Sequence, residues 1–169
     1  MLKPQDILIL LKLTTYKGYS FIMKDVATTL KISQSEVSAS LERCKKCGLI
    51  DSSKQKVQKL ALEELLVHGI KYVFPVAPGR KVRGIPTAHN VSPIKEQIVS
   101  NNDDMMVWPY PKGTHKGASI TPLYRTVPDV ITNDEELYQL LAIVDCLRLG
   151  RRREVEIAKE ELKKRLAYE

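Results

Sequence analysis

Apolar residues recur along this chain with a helical rhythm at both ends and lose it in the middle. In "PQDILILLKL" the residues Ile7, Leu8, Leu11 and Leu13 follow helical spacing behind Pro4. Proline suits the first helical position, where an N–H has no partner, so a leading helix is predicted. "KDVATTLKIS" repeats the rhythm with Val26, Ala27 and Leu30. "ISQSEVSASLERCKKCGLI" follows with almost no linker. There Ser33 can cap a helix, Glu36 stands at the third helical position to complete a capping box, and Ile32 can pack on Val37. Gly48 is placed to end that helix. "LIDSS" and "KVQKL" then flank a polar turn at Lys54 and Gln55, which suits a short hairpin. "LALEELLVHGI" reads as a further helix, with His68 in its last turn and Gly69 beyond.

Between about residues 71 and 131 the periodicity disappears. Eight of the nine prolines and half of the glycines lie there, which predicts strands and ordered loops. From Thr132 the helical pattern returns. "TNDEELYQLLAIVDCLRLG" offers a capping box from Thr132 to Glu135, a stripe of Leu137, Leu140, Leu141, Val144 and Leu147, and a terminal Gly150. The next segment continues with Val155, Ala158, Leu162 and Leu166, and Glu160 with Lys164 and Glu161 with Arg165 stand at supporting four-residue spacing. The expected fold is α+β and mainly helical. It has an N-terminal winged helix-turn-helix over residues 1–70, then over 71–169 a mixed Pro/Gly-rich extension that ends in a C-terminal helical hairpin. That hairpin can either pack on its own chain or dimerise.

Composition narrows the function. The longest apolar run, "ILILL", falls far short of the roughly 20 residues of a membrane span. The N-terminal stretch lacks a secretory cleavage pattern, and three cysteines, an odd number, suit a reducing compartment. A cytoplasmic protein without membrane contact is expected. With 27 Lys/Arg against 20 Asp/Glu the net charge is +7, and the excess lies in the first two thirds of the chain. That balance favours an acidic partner, nucleic acid foremost.

Two helices joined by a turn of three to four residues define a helix-turn-helix, whose second helix is shaped for the DNA major groove. The run "DVATTLKISQSEVSASLERCKKCGLI" resembles the helix-turn-helix of prokaryotic winged-helix regulators of the MarR and ArsR kind. The shared positions are Val26, Ala27, Leu30, Ile32, Ser33, Val37, Ser38, Leu41, Arg43 and Gly48-Leu49-Ile50. The resemblance implies binding to double-stranded DNA as a homodimeric transcription regulator. "HGIKYVFPVAPGRKVRGIPTAHN" is similar to extensions of small prokaryotic regulators, some encoded beside a toxin. Two features depart from the regulators' pattern. Ala39 stands where Arg or His is common, and Glu36 and Glu42 add negative charge to the reading helix.

At about 100° per residue Val37, Leu41, Cys44 and Gly48 fall on one side of that helix, and Ser35, Ser38, Ala39, Glu42, Arg43 and Lys46 on the other. Gln34, Ser35 and Ser38 are the candidates for base edges. Arg43, Lys45 and Lys46 are the candidates for phosphates, and Lys54 and Lys56 for backbone or minor-groove contacts from the wing. Glu42 would need either a cytosine amino group or a neighbouring cation. Cys44 falls on the packing stripe, and Cys47 takes a small-residue position before Gly48. The pair reads as packing, with a redox role for Cys47 as the alternative should it be exposed.

Other chemistry has little support. His68, His89 and His115 lack metal-ligand spacing, and no phosphate loop, nucleophile elbow or paired-carboxylate pattern is present. An enzyme is not expected, and neither catalytic residues, metal nor cofactor are assigned. "PGRKVRG" carries three basic residues that fit either a phosphate grip or a solvated loop, and "VWPYPKG" either a partner-binding ridge or a core cover. The expected function is a sequence-specific DNA-binding repressor. The alternative is an antitoxin or adaptor whose C-terminal region engages a protein partner.

Overall fold

The computed structural model describes residues 1–167. It is an α+β structure, 54% helical, with one small three-stranded sheet. Helix α1 (Pro4–Thr14) runs through its middle, and Ile7 to Leu11 are all 0% exposed. A helix apolar on every side is stable only when neighbours cover it all round. Here the helices over Gln34–Lys46 and Glu135–Leu149 do so. Asp6 closes its first turn by accepting the Lys3 backbone N–H at 2.8 Å.

Helix α2 (Met23–Leu30) ends at Lys31, in the left-handed conformation, and α3 (Gln34–Lys46) starts three residues later. The Ser33 hydroxyl accepts the Glu36 N–H, which is half of the expected capping box. The reciprocal half is absent, because the Glu36 carboxylate bonds to Arg43 and Gln5 instead. Gly48, at φ +74°, reverses the chain after α3. One antiparallel bridge, Ile50 to Val57, follows, and it closes on a turn around Lys54. Helix α4 (Lys59–His68) and the short α5 (Ile70–Val73) complete this half.

Strands β1 (Lys81–Pro86), β2 (Met106–Pro109) and β3 (His115–Ser119) form a closed ring. β1 runs antiparallel to both partners, and β2 runs parallel to β3. Strands this short curl together only if backbones approach closely. At Gly84 a Cβ would collide with the Trp108 carbonyl. Three short 3-10 turns, rather than further strands, occur in the segment between β1 and β2.

The chain then passes through the short α6 (Val127–Val130) into α7 (Glu135–Leu149) and α8 (Arg152–Arg165). The hairpin turns at Gly150, φ +73°, as expected. Three expectations are corrected. The cap of α7 is Asp134, which accepts the Leu137 N–H, while Thr132 lies in the preceding 3-10 turn. Lys164 pairs with Glu161 at 3.3 Å and not with Glu160, and Arg165 reaches Gln139 rather than Glu161. The hairpin packs on its own chain: Lys12 of α1 bonds to Asp134 at 2.6 Å, and one hydrophobic cluster runs from α1 through α8. The boundary expected at residue 70 therefore has apolar packing continuous across it. Among the described residues no helix is long and apolar enough to cross a membrane.

Candidate nucleic-acid interface

The inner face of α3 is Val37, Ser40, Leu41 and Cys44, all buried. Ser40 is polar, and a buried hydroxyl needs a partner. It donates to Asp6 Oδ1 at 2.6 Å. Gly48, expected on this side, is exposed. The outer face carries Gln34, Ser35, Ala39, Lys45 and Lys46, all exposed, with Ser38 partly so. The Ser35 hydroxyl lies 3.2 Å from that of Ser33 at the helix start.

Arg43 does not stand where phosphates would meet it. Its guanidinium turns inward and forks onto Asp6, Nε to Oδ2 at 2.9 Å and Nη2 to Oδ1 at 2.8 Å, and Nη2 also reaches Glu36 at 2.7 Å. Hydrogen bonding to Asp6 raises its already high pKa, so the charge is permanent. The Arg43 hydrogen bond to Glu36 in turn holds Glu36 below the usual carboxylate range, with help from the Gln5 amide. Helical spacing alone put Arg43 on the polar side. A carboxylate buried in α1 draws it in.

Lys54 is the second correction. Instead of pointing into solvent, it pairs with Glu42, which lowers the Glu42 pKa. Both acids of α3 are thereby neutralised by neighbours, Glu36 by Arg43 and Glu42 by Lys54. Lys45, Lys46 and Lys56 are exposed and make no ion pair among the described residues. The turn that carries Lys54 and Lys56 is fastened by Asp51. Its Oδ1 accepts the N–H groups of Gln55 and Lys56, each at 2.9 Å, and its Oδ2 accepts the Ser53 hydroxyl at 2.6 Å. These bonds, the Lys56 N–H first, hold Asp51 down to about 2. Beside the turn lies a cleft of about 610 Å³, whose rim among the described residues carries Lys17, Lys56, Lys59 and Arg165 against one acid, Glu136.

The cysteines part company. Cys44 is buried, and burial pushes its thiol up to about 12, which makes it inert. Cys47 is exposed, so packing does not account for it. Cys146, inside α7, is buried with its pKa raised by the same cause.

Sequence spacing missed two groups. Asp6, an acid within an apolar run, signals a buried partner, but that partner lies 37 residues away. His89, Asp104 and Glu154 bring their ligand atoms within 4.8 Å of one another. Arg151 sits among them, bonded to Asp104 at 2.9 Å and close to His89 Nδ1 at 3.2 Å and Glu154 at 3.6 Å. Its guanidinium supplies the positive charge there. Burial lowers the His89 pKa, so that ring stays neutral.

No protein family, curated protein or solved structure matches this chain in the comparisons made.

Proposed function

We propose that this protein is a sequence-specific DNA-binding transcription regulator, a repressor of winged helix-turn-helix type that acts in the cytoplasm as a homodimer. One observation carries the reading. Every acid on α3 is paired with a basic side chain, while Gln34, Ser35, Ser38, Lys45 and Lys46 stay accessible on its outer side. A helix that buries one face against α1 and α2 and keeps a polar, net positive opposite face is suited to the major groove. Gln34, Ser35 and Ser38 are assigned to base edges, Lys45 and Lys46 to phosphates, and Lys56 to the backbone beside the groove. A two-fold dimer sets its reading helices about 34 Å apart, over a palindromic operator.

The test is a fluorescence-anisotropy titration with the DNA upstream of the protein's own gene and with random duplex, each at two salt concentrations. The upstream DNA should bind at least about a thousandfold more tightly at physiological salt. Ser35→Ala with Ser38→Ala should cost about tenfold on upstream DNA and little on random DNA. Lys45→Gln with Lys46→Gln should weaken both and flatten the salt dependence by about two phosphates. Equal affinity of the wild-type protein for the two DNAs would sink the proposal. Chain stoichiometry on the duplex, two per site, checks the dimer.

A further inference from the structure

The sheet has an unusual charge pattern. From Pro78 to Pro86 and from Met106 to Ser119 there are five Lys/Arg, namely Arg80, Lys81, Arg83, Lys112 and Lys116, and no Asp or Glu. All five are exposed, and none makes an ion pair among the described residues. Arg83 of β1 stands directly opposite Lys116 of β3, with Lys81 two residues along β1 on the same face. Like charges opposite each other across an antiparallel pair repel and destabilise it. Arg83 Nη1 donates to the Gly113 carbonyl at 3.3 Å, which fixes the guanidinium at the β2–β3 turn without neutralising it. Two acids bond to this region, both through uncharged donors: Asp129 accepts the Tyr110 hydroxyl at 2.9 Å, and the buried Asp145 accepts the Trp108 indole N–H at 2.7 Å.

A repulsive, uncompensated face calls for an external anion. The rise of a strand puts Lys81 and Arg83 about 6.7 Å apart, about twice the ~3.4 Å axial repeat of charge along one DNA strand, so the two cations can meet separate phosphates. The sheet offers no stacking platform for unpaired bases, since Trp108 is buried under it and the Tyr110 hydroxyl is tied to Asp129. We infer that the β1–β3 face, through Lys81, Arg83 and Lys116, is a second, sequence-independent phosphate-binding surface for duplex DNA, separate from the outer face of α3. The inference rests on the DNA-binding reading for its ligand but not on sequence recognition by α3.

The test compares the full-length wild-type protein with a Lys81→Gln, Arg83→Gln, Lys116→Gln triple variant on random-sequence duplex DNA across a salt series. Removing three phosphate contacts should lower affinity at low salt at least tenfold and reduce the slope of log affinity against log salt by about three. Its melting temperature should equal or exceed that of wild type, because repulsion is relieved. A charge-conserving variant, Lys81→Arg, Arg83→Lys, Lys116→Arg, should keep wild-type binding. Affinity and slope within twofold of wild type in the triple variant would overturn the inference. So would equal loss in the charge-conserving variant, or absence of any duplex binding by the wild-type protein at low salt. If upstream and random DNA bind equally while the triple variant loses affinity for both, the α3 reading falls and the sheet surface stands.

Discussion

The two halves of the molecule each bury a carboxylate against an arginine, and they use the pair differently. In the N-terminal half Asp6 is 0% exposed, but its partner Arg43 keeps 16% of its side chain in solvent and divides its donors between Asp6 and Glu36. In the C-terminal half Asp145 of α7 meets Arg148 at 2.8 Å with both sealed, Arg148 at 5%. Asp145 Oδ2 also accepts the Thr87 hydroxyl and the Trp108 indole N–H, each at 2.7 Å. Arg148 also donates from Nε to the Phe74 carbonyl and from Nη1 to the Thr121 carbonyl, each at 3.0 Å. Burial raises the Asp145 pKa against the pull of Arg148 and the two other donors. The first pair sets the rotation of one helix, α3, about its axis. The second fastens the sheet and two loops to α7, so it carries far more of the fold.

The comparison breaks hardest at Asp145. Asp145→Ala leaves a buried guanidinium, a buried indole N–H and a buried hydroxyl without their acceptor. The expected loss is about 3 to 5 kcal/mol in urea unfolding, the range for removing one partner of a sealed pair. A loss below about 1 kcal/mol would mean that the sheet docks through apolar contacts alone.

Asp6→Ala should cost less, about 2 kcal/mol, because Arg43 can turn toward water and keep Glu36, which leaves the buried Ser40 hydroxyl as the main orphan. A double-mutant cycle of Asp6→Ala and Arg43→Ala should show coupling of about 1 to 2 kcal/mol. Arg43→Lys should recover little of it, because one ammonium cannot reproduce the two-point fork onto Asp6. Additive single effects would show that Arg43 is not oriented by Asp6 and would return it to the candidates for phosphate contact.

Both pairs also mark where the sequence stopped being legible. The helices α1, α3 and α7 followed from local rhythm, and the reversals at Gly48 and Gly150 from residue type, because helix boundaries are written within a few neighbours. Asp6 and Asp145 lie inside apolar runs, and periodicity treats such a residue as a surface position. Only Arg148, three residues from Asp145, is a local partner. Asp6 meets Ser40 and Arg43 at 34 and 37 residues' distance and Asp145 meets Trp108 and Thr87 at 37 and 58, so no local window joins these. The same holds for Lys54, whose charge is taken by Glu42 across the turn. Ser35, Ala39 and Lys46, placed on the outer side by spacing, are exposed there, because exposure needs no partner. The sheet was visible only as a region: "KVRGIP" has no clean alternation, and its pairing with β2 and β3 depends on close approach at Gly84. At α7 the expected cap, Thr132, is taken up in the preceding 3-10 turn, where Val130 and Ile131 are buried, and the helix starts later, at Asp134.

A third carboxylate, Asp51, extends the comparison to the surface, where pairing should matter least to the whole and most locally. Its folded pKa, about 2, lies below its ordinary value of 3.8 because the charged form accepts the Lys56 and Gln55 N–H groups and the Ser53 hydroxyl. A lowered pKa means that the bonded turn binds a proton more weakly than the open turn. Its contribution is therefore present above pH 3.8 and is lost as the pH falls through about 2. Amide exchange protection at Gln55 and Lys56, corrected for intrinsic pH dependence, should decline across that window. The amides of α1, buried on every side, should show no such local loss at those sites. Asp51→Ala should abolish the Gln55 and Lys56 protection at every pH while leaving the global urea unfolding midpoint essentially unchanged, as surface substitutions usually do. Protection that persists in the variant would show the turn to be held by the Ile50 to Val57 bridge and the Asp51 to Lys56 backbone bond instead, and Lys56 would then be presented by backbone pairing rather than by an acid.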